Sequence, residues 1–129
     1  VWPPRRLEIP MEKFRTYLEA IDGATPWETV APLFDAAFHD DCIFVTSGGD
    51  MTKPQWAEMS KALCAKGSVV SDFEAEAPDP NHIVYQLTLS TPGEEPMRMA
   101  ARGTLQDDRM IRVEPVDPEV YGEMVERSR

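Results

Sequence analysis

The chain has 129 residues and a mass of 14.5 kDa, which is enough for one compact domain with one hydrophobic core. Its 13 basic and 23 acidic residues give a net charge of −10, which repels nucleic acid and anionic membranes and argues against both as partners. No segment has the roughly 20 apolar residues of a membrane span, so we expect a soluble, cytoplasmic protein.

An extended, proline-rich arm over residues 1–10 is predicted to precede a single domain over residues 11–129. The domain begins with an amphipathic helix, whose apolar residues fall at positions i, i+3, i+4 and i+7: Phe14, Tyr17, Leu18 and Ile21. The helix is predicted to end near Gly23, because glycine commonly follows the last turn of a helix.

A second helix is predicted from Thr25, which forms a capping-box pattern with Glu28, to Phe38. Pro32 lies inside this segment and removes a backbone hydrogen bond. The proline therefore predicts either a kink or a later helix start near Ala31.

An acidic turn is predicted after this helix at Asp40 and Asp41, with His39 at the helix end. A strand rich in β-branched residues follows over residues 42–46, and then a glycine turn. A third helix is predicted to begin at Thr52, where the capping pattern recurs, and to end at a Lys-Gly pair.

The period of apolar residues changes from about 3.6 to about 2 after the third helix, which predicts four antiparallel strands in a meander. Turns between these strands are predicted at residues 78–81, 91–96 and 107–108, and a short terminal helix from residue 117. Three helices gathered before one antiparallel sheet indicate an α+β fold.

This order of elements resembles the nuclear-transport-factor-2-like superfamily, and within it the SnoaL-like group, over roughly residues 11–121. The resemblance rests on three segments, at residues 33–41, 49–63 and 102–111. It implies a cystatin-like α+β barrel, in which a curved, mostly antiparallel sheet wraps the N-terminal helices as a cone with an internal cavity. The superfamily includes ketosteroid isomerases, polyketide cyclases, dehydratases and epoxide hydrolases, beside members that only bind or oligomerise, so the fold does not select a chemistry.

Tyr17 matches the tyrosine that ketosteroid isomerases carry on the first helix as an oxyanion donor, which makes it a candidate catalytic residue. The alternative is a tyrosine of the core whose hydroxyl reaches the surface. The isomerases' aspartate base would fall at Val45 or Thr46, neither of which can abstract a proton, and their second acid would fall near Arg102. These departures argue against an isomerase of that mechanism.

Glu114 keeps part of the carboxylate pattern of limonene-type epoxide hydrolases, because it stands three residues before Asp117. Held by an arginine, it could act as a base that activates water, and Asp41 is the second candidate base. The alternative is that Glu114 is a solvated strand residue. No pair of histidines has metal-ligand spacing, and we expect neither a metal nor a cofactor.

A pocket is predicted inside the cone, because aromatic, aliphatic and sulfur-bearing side chains dominate the predicted inward faces. The predicted lining is Phe14, Phe34, Phe38, Phe44, Thr46, Trp56, Met59, Leu63, Phe73, Tyr85, Leu87 and Arg102. Such a lining suits a small hydrophobic or aromatic molecule. The alternative is that these side chains fill the cone as an ordinary core.

Three functions follow from these patterns. The first is a cofactor-free isomerase, cyclase or hydrolase of the SnoaL-like type, and the second is a binder of a similar ligand without catalysis. The third is an association domain that forms a homodimer through the outer face of the sheet, where Val70, Val84 and Met110 are predicted to lie.

Overall fold

Three helices and a six-stranded sheet make up residues 10–117, the part of the chain that this computed structural model describes. The helices are α1 (Pro10–Ala20), α2 (Trp27–Ala37) and α3 (Lys53–Ala65). The strands are β1 (Phe38–Thr46), β2 (Gly49–Thr52), β3 (Val69–Asp79), β4 (His82–Ser90), β5 (Met97–Gln106) and β6 (Arg109–Pro115). The predicted arm up to residue 9 and the predicted terminal helix lie outside the described residues.

The sheet has the strand order β2-β1-β6-β5-β4-β3, and the predicted antiparallel meander from β3 to β6 is confirmed. β1 joins the meander through a parallel pairing with β6 and also pairs with the short strand β2 in a hairpin. The α+β prediction with a curved, mostly antiparallel sheet is thereby confirmed. The parallel pairing and β2 itself were not predicted.

Helix α2 passes into β1 without a turn, because its C-cap residue Phe38 already has the extended φ of −121° and ψ of 134°. The predicted acidic turn is therefore wrong: Asp40 and Asp41 lie within β1 and are exposed, and His39 lies within β1 and is half-buried. The backbone at this junction is held from α3, whose Lys53 ammonium donates a hydrogen bond to the Phe38 carbonyl at 2.9 Å.

The predicted cap of α2 is also wrong, whereas that of α3 is confirmed. The N-cap of α2 is Pro26, and the hydroxyl of Thr25 instead donates to Asp22 Oδ1 at 2.8 Å. The helix runs through Pro32, so the later start is wrong as well. At α3, Thr52 and Gln55 form a complete capping box.

A β-bulge in β3 changes which side chains face the core. Ser71 pairs with Thr88 and Glu74 with Gln86, so β3 has one more residue than β4 over this interval, and Asp72 takes a φ of 53°. Val70 and Phe73 consequently both pack against the core. The prediction that Val70 faces outward is wrong, because strict alternation fails across a bulge.

A second register shift, between β5 and β6, turns Met110 inward. Leu105 pairs with Met110 and Thr104 with Arg112, which leaves one extra residue on β6. Met110 is 1% exposed and lies over Gly103, where a Cβ atom would stand 2.6 Å from the methionine sulfur. The prediction that Met110 belongs to the outer face is therefore wrong. Val84, which was also predicted to lie on the outer face, packs with Ala100 in a separate cluster away from the main core.

Candidate functional site

The inner face of the sheet, meaning the side that packs against the helices, is covered at its centre by aromatic rings. The ring centroid of Phe14 lies 4.8 Å from that of Tyr85, 5.9 Å from Phe38 and 5.8 Å from Phe73. Phe38 continues the cluster to Phe44 at 5.1 Å. Edge-to-face and tilted contacts at these distances are those of a packed interior, so the centre of the cone is filled by its own side chains.

Tyr17 projects from α1 into this cluster and is 4% exposed. Its hydroxyl is 3.1 Å from the hydroxyl of Ser60 on α3, so the two buried groups satisfy each other. Burial raises the pKa of Tyr17 to about 12 against the opposing effect of the Ser60 hydrogen bond, and the phenol is neutral at pH 7. Tyr17 can therefore donate a hydrogen bond but is not a base.

Tyr85 reaches the same interior from β4 and is 8% exposed. Desolvation raises its pKa, and the nearby Tyr17 and Cys42 add to the effect. Both buried tyrosines are therefore neutral at pH 7.

The inner face is open at the end of the sheet where β5 begins. Met99 pairs with Leu87 and Met97 with Leu89, and both leucines pack with the core cluster, so the methionines share the inner face with them. Met97 is nevertheless 56% exposed and Met99 38% exposed. We call these four residues the methionine patch.

A small cavity adjoins the methionine patch between α1 and β3. It has a volume of about 180 Å³ and is lined by Arg15, Leu18, Glu19, Val70 and Phe73. Val70 pairs with Leu89 of the patch, which places the cavity beside it. A depression of this size accommodates a molecule of one or two rings rather than a larger ligand.

Lys53, the first residue of α3, forms a second cluster on the helix side of the molecule. Its ammonium group is 3.0 Å from Asp35 Oδ1 and 3.2 Å from Asp40 Oδ1, in addition to the Phe38 carbonyl, and its side chain is 8% exposed. The ammonium donates hydrogen bonds to the Phe38 carbonyl and to Asp40 Oδ1, and Asp35 adds an ion pair. The Lys53 hydrogen bond, followed by its charge, lowers the pKa of Asp40.

The Lys53 cluster closes one end of a surface cavity of about 330 Å³ between α2 and α3. The apolar part of its lining is Trp27, Ala31, Phe34, Pro54 and Ala57. Because the ammonium is paired with two carboxylates and also hydrogen-bonded to the Phe38 carbonyl, we interpret the cluster as a tie between α2, β1 and α3.

The structure does not bring the three candidate catalytic residues together. Glu114 pairs with Arg102 and, through it, with Val84, which places it on the face opposite the aromatic cluster, 3.3 Å from the Arg112 side chain. Asp41 is an exposed residue of β1 whose side chain lies near His39. Tyr17 faces the interior, so the pair of Tyr17 and Glu114 does not form one site.

The residues predicted to line the pocket fall into three groups. Those buried in the main core are Phe14, Phe34, Phe38, Phe44, Tyr85 and Leu87. Those half-buried are Thr46, Trp56, Leu63, Phe73 and Arg102. Met59 is exposed.

Two of these half-buried residues have local roles. The hydroxyl of Thr46 donates to the carbonyl of Gly49 at 2.6 Å and accepts from the amide of Gly48 at 3.2 Å, so it serves the hairpin turn. The indole of Trp56 stacks on Phe44 with a centroid distance of 4.6 Å and an interplanar angle of 7°.

Ser60, Lys53 and the two exposed methionines of the patch, Met97 and Met99, were missed in the sequence. Ser60 stands four residues after Trp56 and three before Leu63, so its inward position was available from the helical period. Lys53 is a cation in the first turn of a helix, where the helix dipole disfavours positive charge, and this was a usable signal for nearby carboxylates.

Within residues 10–117, no group of three or more His, Cys, Asp or Glu side chains is arranged to hold a metal ion. In the same range, no helix has the length and apolar character to cross a membrane. Both cysteines are free thiols, Cys42 buried and Cys64 half-buried.

No protein-family profile matches the chain, and no curated protein matches it in sequence. Several solved structures do match its fold. A candidate SnoaL-like polyketide cyclase from Jannaschia sp. CCS1 superposes with a TM-score of 0.65 at 12% identity, covering 100% of this chain and 98% of that one. A de novo designed NTF2-fold protein gives 0.66 at 16% identity over 95% and 94% of the two chains.

An uncharacterised cystatin-fold protein from Novosphingobium aromaticivorans gives a TM-score of 0.64 at 15% identity, covering 84% of this chain and 97% of that one. At such identities the likeness concerns the fold alone. The element order, the sheet topology and these superpositions agree, and the chain has the nuclear-transport-factor-2-like fold in its SnoaL-like form.

Proposed function

We propose that this protein binds a small hydrophobic or aromatic molecule on the inner face of its sheet, at the methionine patch. The observation that carries the proposal is the exposure of Met97 and Met99, at 56% and 38%, on the same face as a buried aromatic core. Polarizable methionine side chains adapt to apolar ligands of varied shape. An apolar surface that continues a hydrophobic core into solvent is a common feature of ligand sites.

A small molecule fits this surface better than a second protein does. A stable protein interface needs about 800 Å² from each partner. Two exposed methionines with two largely covered leucines supply far less than that area. The adjoining cavity of about 180 Å³ is likewise matched to a molecule of one or two rings.

Binding is better supported than catalysis. Among the described residues, the hydroxyls that reach the aromatic cluster belong to Tyr17, Ser60 and Tyr85, and the raised pKa values of Tyr17 and Tyr85 keep their phenols neutral at pH 7. Acid–base catalysis needs a group that changes protonation near the working pH. These hydroxyls can orient a ligand but supply no general base.

The proposal is tested by NMR on protein carrying 13C-labelled methionine methyl groups, with naphthalene as the probe. We expect saturable shifts of the Met97 and Met99 signals and none at Met59, which is exposed to the same degree, 37% against 38% for Met99. Equal shifts at all three, or none at any concentration, would overturn the proposal. So would shifts of Met97 and Met99 that depend on protein concentration without ligand, because a second copy would then cover the patch.

A charge placed in the patch should abolish binding. Met99→Glu is expected to weaken naphthalene binding at least about tenfold, because the ligand would desolvate a carboxylate. Met59→Glu is the matched control, and its affinity should stay within about twofold of that of the original protein. An unchanged affinity of Met99→Glu would contradict the location of the site.

A further inference from the structure

The bulge of β3 carries one wall of the cavity beside the methionine patch. Phe73, which lines the cavity, follows Asp72, whose φ of 53° is uncommon for a residue other than glycine. Such a backbone conformation persists only where surrounding groups hold it. Because the bulge turns Phe73 to the inner face, whatever holds the backbone at Asp72 also sets this wall of the cavity.

Arg98 of β5 is hydrogen-bonded to the backbone of the bulge from the outer face of the sheet. Its guanidinium Nη1 donates to the Asp72 carbonyl at 3.2 Å and to the Thr88 hydroxyl at 2.9 Å. Its Nη2 donates to Glu74 Oε2 at 3.2 Å. A bulge interrupts the regular ladder between two strands, and the planar guanidinium supplies donors in a rigid arrangement at the interruption.

The strand register explains how one side chain reaches across β4. Arg98 pairs with Thr88 of β4, and Thr88 pairs with Ser71, the residue before the bulge. Glu74, the residue after it in the pairing, also accepts a hydrogen bond from the side-chain amide of Gln86 on the same Oε2 atom. The guanidinium, β4 and both sides of the bulge therefore belong to one hydrogen-bonded network.

Arg98 also stands between the two methionines of the patch. Alternate residues of a strand point to opposite faces, so Met97 and Met99 lie on the inner face and Arg98 on the outer face. One segment of three residues thus supplies exposed apolar surface on one side of the sheet and holds the cavity wall from the other.

We propose that Arg98 is a positioning residue of the ligand site: by holding the bulge, it keeps the Phe73 ring at the cavity, where the ring contacts an aromatic ligand. The inference rests on the function proposed above and adds a residue that shapes its site. The ion pair of Arg98 with Glu74 is exposed, at 39% and 59% of the two side chains, and contributes little to stability. Loss of Arg98 should therefore alter the site without unfolding the protein.

The position of the ring is measured first in the protein without ligand. The ring centroids of Phe73 and Phe14 are 5.8 Å apart, close enough for nuclear Overhauser effects between their protons. Arg98→Ala should weaken or abolish these effects. Arg112→Ala is the matched control and should leave them unchanged, because Arg112 is 46% exposed and forms a similar ion pair, at 3.3 Å, with Glu114 of its own strand.

Binding of naphthalene, followed by the methionine methyl signals, supplies the second readout. Phe73→Ala should weaken binding about fivefold, as expected for the loss of one aromatic contact. Arg98→Ala should weaken binding about threefold in the original protein, but by no more than about 1.5-fold when Phe73 is already alanine. This double-mutant cycle distinguishes a residue that acts through Phe73 from one that only stabilises the fold.

The outcomes separate this inference from the proposed function. If naphthalene shifts no methionine signal, the function fails, and the ring contacts in the free protein still decide whether Arg98 holds the bulge. If naphthalene binds but Arg98→Ala keeps the contacts between Phe73 and Phe14, the positioning role fails and the binding function stands. The same conclusion follows if the affinity losses of Arg98→Ala and Phe73→Ala are fully additive, or if Arg112→Ala weakens binding as much as Arg98→Ala.

Discussion

Buried polar groups are paired on the helix side of the molecule, whereas apolar side chains remain exposed at the open end of the sheet. On the helix side, Lys53 is hydrogen-bonded to Phe38 and Asp40 and ion-paired with Asp35, and Tyr17 is satisfied by Ser60. At the open end, two methionines, Met97 and Met99, remain exposed to solvent beside the buried core. The first region ties the helices to the sheet, while the second leaves apolar side chains uncovered, which is the feature on which the proposed ligand site rests.

The largest effect is expected when the Lys53 cluster is removed. Lys53→Met should lower the free energy of unfolding by about 3 kcal/mol, because the Phe38 carbonyl loses its partner and the hydrogen bond to Asp40 and the ion pair with Asp35 disappear. Urea denaturation measures this loss. Lys61→Met, at an exposed position of the same helix, should change stability by no more than about 0.5 kcal/mol. Similar losses of unfolding free energy in Lys53→Met and Lys61→Met would contradict a stabilising role of the Lys53 cluster.

A smaller loss is expected at Tyr17. Tyr17→Phe should cost about 1.5 kcal/mol, since it leaves the buried Ser60 hydroxyl unpaired. The double variant Tyr17→Phe/Ser60→Ala should regain part of that stability, because both partners are then apolar. Strictly additive losses in the double-mutant cycle would show that the 3.1 Å contact contributes no coupling.

The smallest effect is expected for Asp40→Asn, which should change how the free energy of unfolding depends on pH in acid. Lys53 lowers the pKa of Asp40 below its ordinary value of 3.8, so folding favours the ionised form. The stability that Asp40 contributes is then complete above about pH 5 and is lost as the pH falls through 3.8 towards the folded-state pKa. The difference in unfolding free energy between the original protein and Asp40→Asn should shrink over this range. A difference that stays constant down to pH 2.5, or that survives in the Lys53→Met background, would contradict the assignment.

Much of the fold could be predicted because its signals are local. The helical stripe around Tyr17 and the strand alternation around Tyr85 gave both residues their inward positions. The parallel pairing of β1 with β6 joins segments about 70 residues apart, and nothing in either segment specifies it. The faces of Val70 and Met110 were mispredicted because a bulge changes the register without an obvious sequence signal.

The site could be predicted only in part. The aromatic composition of the interior was evident, but composition does not say whether rings fill a cone or line a cavity. The exposure of Met97 and Met99 depends on where the helices stop covering the sheet, which is a property of the assembled fold. The raised pKa of Tyr85 likewise depends on groups distant in sequence, since burial comes first and Tyr17 and Cys42 add to it.

The bulge at Asp72 has a consequence for solubility. β3 forms one edge of the sheet, and an edge strand of 11 residues offers backbone groups to which another chain could add. Asp72, a charged residue with a φ of 53°, interrupts that edge, and Glu74 adds a second charge two residues further on. The irregularity that turns Phe73 towards the core therefore also protects the protein from growing into an intermolecular sheet.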